Sequence, residues 1–179
     1  MKRLPIFLTG YMASGKTTFG RALAARLAIP FIDLDESVEA GAGISVPEIF
    51  RREGEEGFRR RESEMLRRIC ADGRAAVVAC GGGTPCRPGN MEMMSEAGLT
   101  VWLYAGIPCI VRRILEAGDT RPVVSGIPAD GLPAFVESHL AGRLPYYRRA
   151  RLHIDGEHLE DALQIEETVE EFIRTIECL

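Results

Sequence analysis

Short apolar runs alternate with segments of helical period along this chain. Ile6, Phe7 and Leu8 form the first run, and Pro30-Phe31-Ile32-Asp33-Leu34-Asp35 carries the second. Ala75-Ala-Val-Val-Ala-Cys80 and Val101-Trp-Leu-Tyr104 follow, with Leu152-His-Ile-Asp155 a short fifth. Such runs read as strands. Between the first two, Phe19, Leu23 and Leu27 recur at helical spacing beside good helix formers such as Ala22, Ala24 and Ala25. Ser45-Val46-Pro47-Glu48 has the form of a helix start, and Gly54 and Gly57 mark a break between two helices. A helix is predicted over roughly residues 132–142. Near the C-terminus Leu159, Ala162, Leu163, Val169, Phe172, Ile173 and Ile176 keep a helical period with acids opposite, as in a helix packed on a sheet. The alternation predicts an α/β domain.

The chemistry begins where the first strand ends. Gly10-x-x-x-x-Gly15-Lys16-Thr17 lies between strand and helix, the context a phosphate-binding P-loop requires. Gly10 and Gly15 let the loop curl until its N–H groups face phosphate oxygens, and the helix start adds the positive end of its dipole. Ala13, Ser14, Gly15, Lys16, Thr17 and Thr18 are therefore the expected nucleotide contacts. Lys16 offers a mobile charge to the β and γ phosphates, and the Thr17 hydroxyl can complete the shell of a Mg²⁺ ion. Lysine occurs only at Lys2 and Lys16, so its presence in the loop is not compositional noise.

Asp33 and Asp35 close the second run. Strand alternation would place both carboxylates on one face, beside the phosphates: one to hold Mg²⁺ through water, the other to orient or deprotonate an acceptor hydroxyl. The plainer alternative is a helix cap at Asp35. The third run ends in Gly81-Gly82-Gly83-Thr84-Pro85, where backbone approaches something closely unless the glycines merely form a flexible loop. Residues 45–69 are dense in charge of both signs, and from bulk charge no arginine there stands out. Glycine and proline punctuate residues 112–128, a candidate lid whose Arg121 would reach a transferring phosphate on closure. Arg143 could fork onto a carboxylate. His139, His153 and His158 fall in no catalytic spacing, and Met91, Met93 and Met94 read as core or loop filling.

Length and composition narrow the picture. At 179 residues the chain suits one domain, residues 1–179, and no apolar run approaches the ~20 residues of a membrane span. The run after Met1-Lys2-Arg3 is broken by Pro5, so it reads as a strand rather than a signal peptide. Five scattered cysteines suggest free thiols in a reducing, cytoplasmic compartment, and Cys80 and Cys86 fit no common zinc spacing. A net charge of −4 and interleaved glutamates argue against nucleic acid.

Taken in order, Gly10–Thr17, Asp33-Leu34-Asp35, Gly57-Phe58-Arg59-Arg60-Arg61-Glu62, Gly81-Gly82-Gly83, Arg121-Pro122 and Arg143-Leu144-Pro145-Tyr146-Tyr147 resemble the shikimate kinase family over nearly the whole chain. The resemblance implies a nucleoside-monophosphate-kinase-like three-layer sandwich with a central five-stranded parallel sheet. It also implies a helical substrate-binding region over about residues 33–63 and a mobile lid over about 112–128. The activity implied is transfer of the γ-phosphoryl of ATP to the 3-hydroxyl of shikimate, in the biosynthesis of chorismate and aromatic amino acids. ATP is then co-substrate and Mg²⁺ the cofactor, and a cytoplasmic monomer without nucleic-acid or membrane partners is expected. By the resemblance, Lys16, Asp35 and Arg121 are catalytic, and Arg59 and Arg143 hold the shikimate carboxylate. Asp35 and Gly82 take hydroxyls, and Thr17 with Asp33 positions Mg²⁺; either Arg112 or Arg113 stacks on adenine. Two departures stand out. Ala13 replaces a usual glycine, tolerable if no positive φ is needed, and Cys80 introduces a thiol that could make the site oxidation-sensitive. A gluconate kinase would lack the Asp-x-Asp, triple-glycine and Arg-x-Pro set. A non-catalytic ATP-binding module would have lost Lys16, Asp35 or Arg121.

Overall fold

Five strands pair in the order β2-β3-β1-β4-β5, all parallel: β1 (Ile6–Thr9), β2 (Phe31–Asp33), β3 (Val77–Ala79), β4 (Leu99–Tyr104) and β5 (Leu152–Asp155). The structure is a computed structural model that describes residues 4–118, 123–124 and 126–178. Eight α-helices are described: α1 (Lys16–Leu27), α2 (Leu34–Ala42), α3 (Val46–Asp72), α4 (Asn90–Ala97), α5 (Ile107–Glu116), α6 (Leu132–Ala141), α7 (Leu144–Tyr147) and α8 (Ala162–Glu177).

The two-residue period of β1 divides the core. Ile6 and Leu8 point to the face covered by α1 and α8, where they meet Phe19, Leu23, Phe172 and Ile173. Phe19 and Phe172 join those helices edge to face at 5.6 Å. Phe7 points the other way, toward Leu34, Leu66, Met91 and Met94, so two of the three methionines are core as expected. Two further clusters lie off the sheet. Val38, Ile49 and Phe58 knit α2 to α3, while Ile110, Ile114, Val124, Leu132, Val136 and Tyr147 join α5, α6 and α7. The expected three-layer α/β sandwich is the one that forms.

Local details depart from expectation. The second strand stops at Asp33, because the Asp33 side chain accepts hydrogen bonds from the N–H groups of Asp35 and Glu36 and so starts α2. Strand alternation therefore does not place the two acids, and the cap is Asp33 rather than Asp35. Of the two glycines expected to break α3, only Gly54 is non-helical, at φ 69°. Arg112 and Arg113 lie on α5. Ala13 is at φ 59°, so the condition for tolerating alanine there is not met and the loop carries a left-handed residue.

A second such residue ends α1: Ala28, at φ 53°, donates its N–H back to the carbonyls of Ala24 and Ala25. Glycine adopts this cap without the Cβ clash. Ala28→Gly, exposed and at the far end of α1 from the P-loop, should gain about 1 kcal/mol in urea unfolding with kcat unchanged. A lower midpoint would show that the cap is unstrained.

Candidate active site

Register brings the candidate residues together. Leu8 and Asp33 both lie opposite Ala79, so Gly10, Gly81 and Asp35 each stand two residues beyond the same row, at the carboxyl ends of adjacent strands. In open parallel sheets that edge borders the ligand crevice. Here it forms a cleft of about 520 Å³ lined by Ala13, Gly15, Lys16, Thr17, Thr18, Asp33, Asp35, Arg59, Gly82 and Arg143 among others. Every predicted site residue except Ser14 and Arg121 lies on it. Ser14 is buried beneath the loop, its hydroxyl without a partner among the described residues. Arg121 lies outside the described residues.

At one end stands the P-loop. Gly10, at φ 141°, packs so closely on β4 that a Cβ would sit 2.3 Å from the Leu103 carbonyl oxygen, and Gly15, at φ 98°, turns the chain into α1. The first N–H groups of α1 thus face the cleft. The Lys16 ammonium lies across the loop, donating to the carbonyls of Gly10 at 2.8 Å and Tyr11 at 2.7 Å. Arg113 lines the same end and donates to the carbonyls of Ala13 and Gly156, whereas Arg112 faces solvent and pairs with Glu116 and Glu160.

Asp35 stands between the two ends. Its side chain is exposed to the open cleft, so the loss of bulk water around it is partial. Loss of bulk solvent, with Glu62 and Asp33 nearby, pushes it up from 3.8 to about 6 against the opposing pull of Lys16 and Arg59. A carboxyl poised near neutrality can exchange a proton with an alcohol.

The other end is built on an acid the sequence reading left without a role. Glu62 has no exposed surface, yet it sits on the solvated-looking stretch of α3. Its two oxygens are satisfied separately, one by the Arg59 guanidinium at 2.9 Å and the other by the Thr84 hydroxyl at 2.5 Å. Phe58, Glu62 and Leu66 share one buried stripe at four-residue spacing, a signal that could have singled it out. Other arginines of α3 make exposed pairs, such as Arg51 with Glu48 and Arg68 with Glu64. Arg59, by contrast, is mostly buried, and the Gly83 backbone lies against its guanidinium. Across the glycine turn, Arg143 approaches Gly82, whose carbonyl accepts from the buried Tyr147 hydroxyl at 2.6 Å. The segment after Gly81 is no flexible loop: Thr84 is fully buried in a 3₁₀ turn over Thr84–Cys86. Two guanidinium groups thus face one small volume, a geometry suited to a carboxylate.

Cys80 lies on the cleft wall. Its thiol is buried beside the Met94 sulfur, and burial holds its pKa well above the usual thiol value, which suppresses the reactive thiolate.

The model of the family described as shikimate kinase matches residues 12–177. The chain belongs to the shikimate kinase family. A shikimate kinase from Bacteroides thetaiotaomicron is 41% identical over 172 residues, covering 96% of this chain and 98% of that one. One from Symbiobacterium thermophilum is 43% identical, covering 88% and 91%. The crystal structure of the Bacteroides thetaiotaomicron shikimate kinase superposes with a TM-score of 0.92 at 40% identity, covering 97% of this chain and 98% of that one. That of the Acinetobacter baumannii shikimate kinase in complex with shikimate gives 0.81 at 30% identity, with 97% and 92% covered. One cleft in this chain is lined by P-loop residues at one end and by Arg59 and Arg143 at the other.

Asp35→Asn should lower kcat by about 10²- to 10⁴-fold. In the wild type kcat/KM should fall as pH drops below about 6, where the carboxyl gains its proton. Stability should move the other way. The folded chain retains between pH 3.8 and about 6 a proton that the unfolded chain has released, so Asp35 disfavours folding fully above that window and not below it. Thermal unfolding should therefore find Asp35→Asn more stable than wild type at pH 7 and equal at pH 3.5; equal stability at pH 7 would mean that Asp35 is not strained. Gly83 has φ −93°, open to any residue, but an alanine Cβ would fall 2.5 Å from the Arg59 guanidinium. Gly83→Ala should raise KM for shikimate and leave that for ATP unchanged; equal effects on both would sink the placement of Arg59.

Proposed function

We propose that this cleft transfers the γ-phosphoryl of ATP to the 3-hydroxyl of shikimate with the following division of roles. The N–H groups from Ala13 to Thr18 receive the phosphates. Lys16 follows the transferring group as it leaves its two carbonyl acceptors for more strongly charged oxygens. Arg113, rather than Arg112, meets the nucleotide. Arg59 and Arg143 fork onto the shikimate carboxylate, and Gly82, whose carbonyl is already taken by Tyr147, offers its N–H to a hydroxyl. Asp35 accepts the proton of the attacking oxygen. Glu62 makes no substrate contact in this scheme; it fixes the Arg59 guanidinium and, by repulsion, keeps Asp35 basic. Arg121 is the proposed cation of the closing segment. The single observation that carries the reading is the convergence of Lys16, Asp35, Arg59 and Arg143 on one cleft.

The residues present fit Mg²⁺. Among the described residues no cluster of three or more His, Cys, Asp or Glu side chains could cage a metal alone. The Thr17 hydroxyl and the Asp33 carboxylate, hard oxygen donors on the cleft wall, suit an ion that keeps most of its waters and takes the rest of its shell from phosphate. When bound, Mg²⁺ would neutralise charge developing on the phosphates. A cytoplasmic, monomeric enzyme is supported by five free cysteines and by exposed large apolar side chains, such as Leu115 and Leu163, that sit on different helices.

The reading is tested by coupled ADP release with shikimate, quinate and gluconate in parallel, shikimate being the acceptor expected to turn over. Arg59→Ala should raise KM for shikimate about ten- to a hundredfold, the worth of one charge-assisted pair, with little change for ATP. Turnover of gluconate instead would overturn the acceptor assignment.

A further inference from the structure

The nucleotide end and the acceptor end share one side chain that neither chemistry requires. Tyr11 follows Gly10 in the P-loop, and its carbonyl accepts from the Lys16 ammonium at 2.7 Å. Its ring is 1% exposed. A phenylalanine would fill that volume as well, but a buried phenol oxygen needs a partner. It has one: the Tyr11 hydroxyl lies 2.8 Å from His139 Nδ1, a residue 128 positions away on α6, and the two rings meet edge to face at 5.5 Å. The Arg143 guanidinium lies 5.7 Å from the centroid of the same Tyr11 ring. Arg143 comes two residues after the end of α6, the helix that His139 anchors. Tyr11 therefore touches, at its carbonyl, the cation that follows the phosphates, at its ring the cation assigned to the acceptor carboxylate, and at its hydroxyl the helix leading to that cation.

We propose that Tyr11 and His139 form a positioning pair that couples nucleotide binding to the grip of Arg143 on the acceptor. The inference rests on the assignment of Arg143 to the shikimate carboxylate. When phosphate oxygens draw the Lys16 ammonium off the Tyr11 carbonyl, the first turn of the loop is released. The phenol, pinned to α6, passes the change to the ring surface on which Arg143 rests. By linkage, shikimate must then tighten the nucleotide by the same factor. Burial, with Arg143 and Arg59 nearby against the opposing Glu55, lowers the His139 pKa and favours the neutral imidazole, which can accept a hydrogen bond from the phenol at Nδ1. This pair is a second contact between the loop and the acceptor side, separate from the strand register that places Asp35.

The experiment measures the dissociation constant of shikimate with and without ADP and Mg²⁺. The readout is fluorescence of Trp102, the sole tryptophan, which stacks on Tyr147. The ratio of the two constants is the coupling factor. In the wild type it should exceed one, and in Tyr11→Phe, which keeps the ring, it should shrink about three- to tenfold, the worth of one buried hydrogen bond. His139→Leu should do the same, the double variant should be no worse than either single one, and His139→Gln, which can still pair with the phenol, should restore coupling. A structural role alone would lower the melting temperature without changing this ratio. Tyr11→Phe or His139→Leu proteins that fold and keep the wild-type ratio would overturn the proposal, as would a wild-type ratio of one. Arg143→Gln separates the two failures. If it leaves shikimate affinity unchanged, the carboxylate assignment falls and takes the coupling with it; if it weakens shikimate while the Tyr11 and His139 variants do nothing, the coupling alone is wrong.

Discussion

Parallel pairing at a common level is the constraint from which the site follows. Once Leu8 of β1, Ala79 of β3 and Asp33 of β2 stand in one row, whatever lies two residues on is delivered to one line about 10 Å long, two strand spacings. The phosphate loop occupies one end of that line and a carboxyl the other, with a glycine between them. No loop has to be steered there by side-chain contacts of its own. The loop side chains are left to tune charge, and the backbone groups, rigidly attached to the sheet, set distance.

That economy explains what was legible in the chain. A P-loop is a statement about backbone, written in residues that few other contexts demand, so Gly10, Gly15, Lys16 and Thr17 could be read directly. Five apolar runs sufficed for the sheet because strands buried on both faces need no alternation. For the same reason the end of the second strand was not visible: nothing in Phe31-Ile32-Asp33-Leu34-Asp35 distinguishes a strand that continues from one ended by an aspartate folding back onto the next turn. Asp35, which the alternative reading made a cap, does not cap, and Asp33, one of the two acids expected along the strand, does.

Glu62 and Arg59 were hidden for another reason. In a stretch where nearly every polar residue is charged, charge carries no information, and only position on the helical stripe separates a buried pair from solvated ones. Arg59 came from the resemblance, whereas Glu62, which holds it, needed coordinates. Ala13 and Cys80 show where residue type says less than conformation. The alanine occupies left-handed backbone, and the Cys80 thiol is buried beside Met94 although the residue lines the cleft. Arg121 is a third kind of case, legible by resemblance but outside the described residues.

The two ends of the cleft are fastened by different kinds of ion pair. At the nucleotide end, Glu160 on the surface clasps both Arg112 and Arg113, each at 2.7 Å, and so ties α5 to the segment before α8. At the acceptor end the clasping carboxylate, Glu62, is wholly enclosed. Mobile counter-ions reach the first and not the second, so rising ionic strength weakens the tie between α5 and the segment before α8 more than it weakens the Glu62–Arg59 pair.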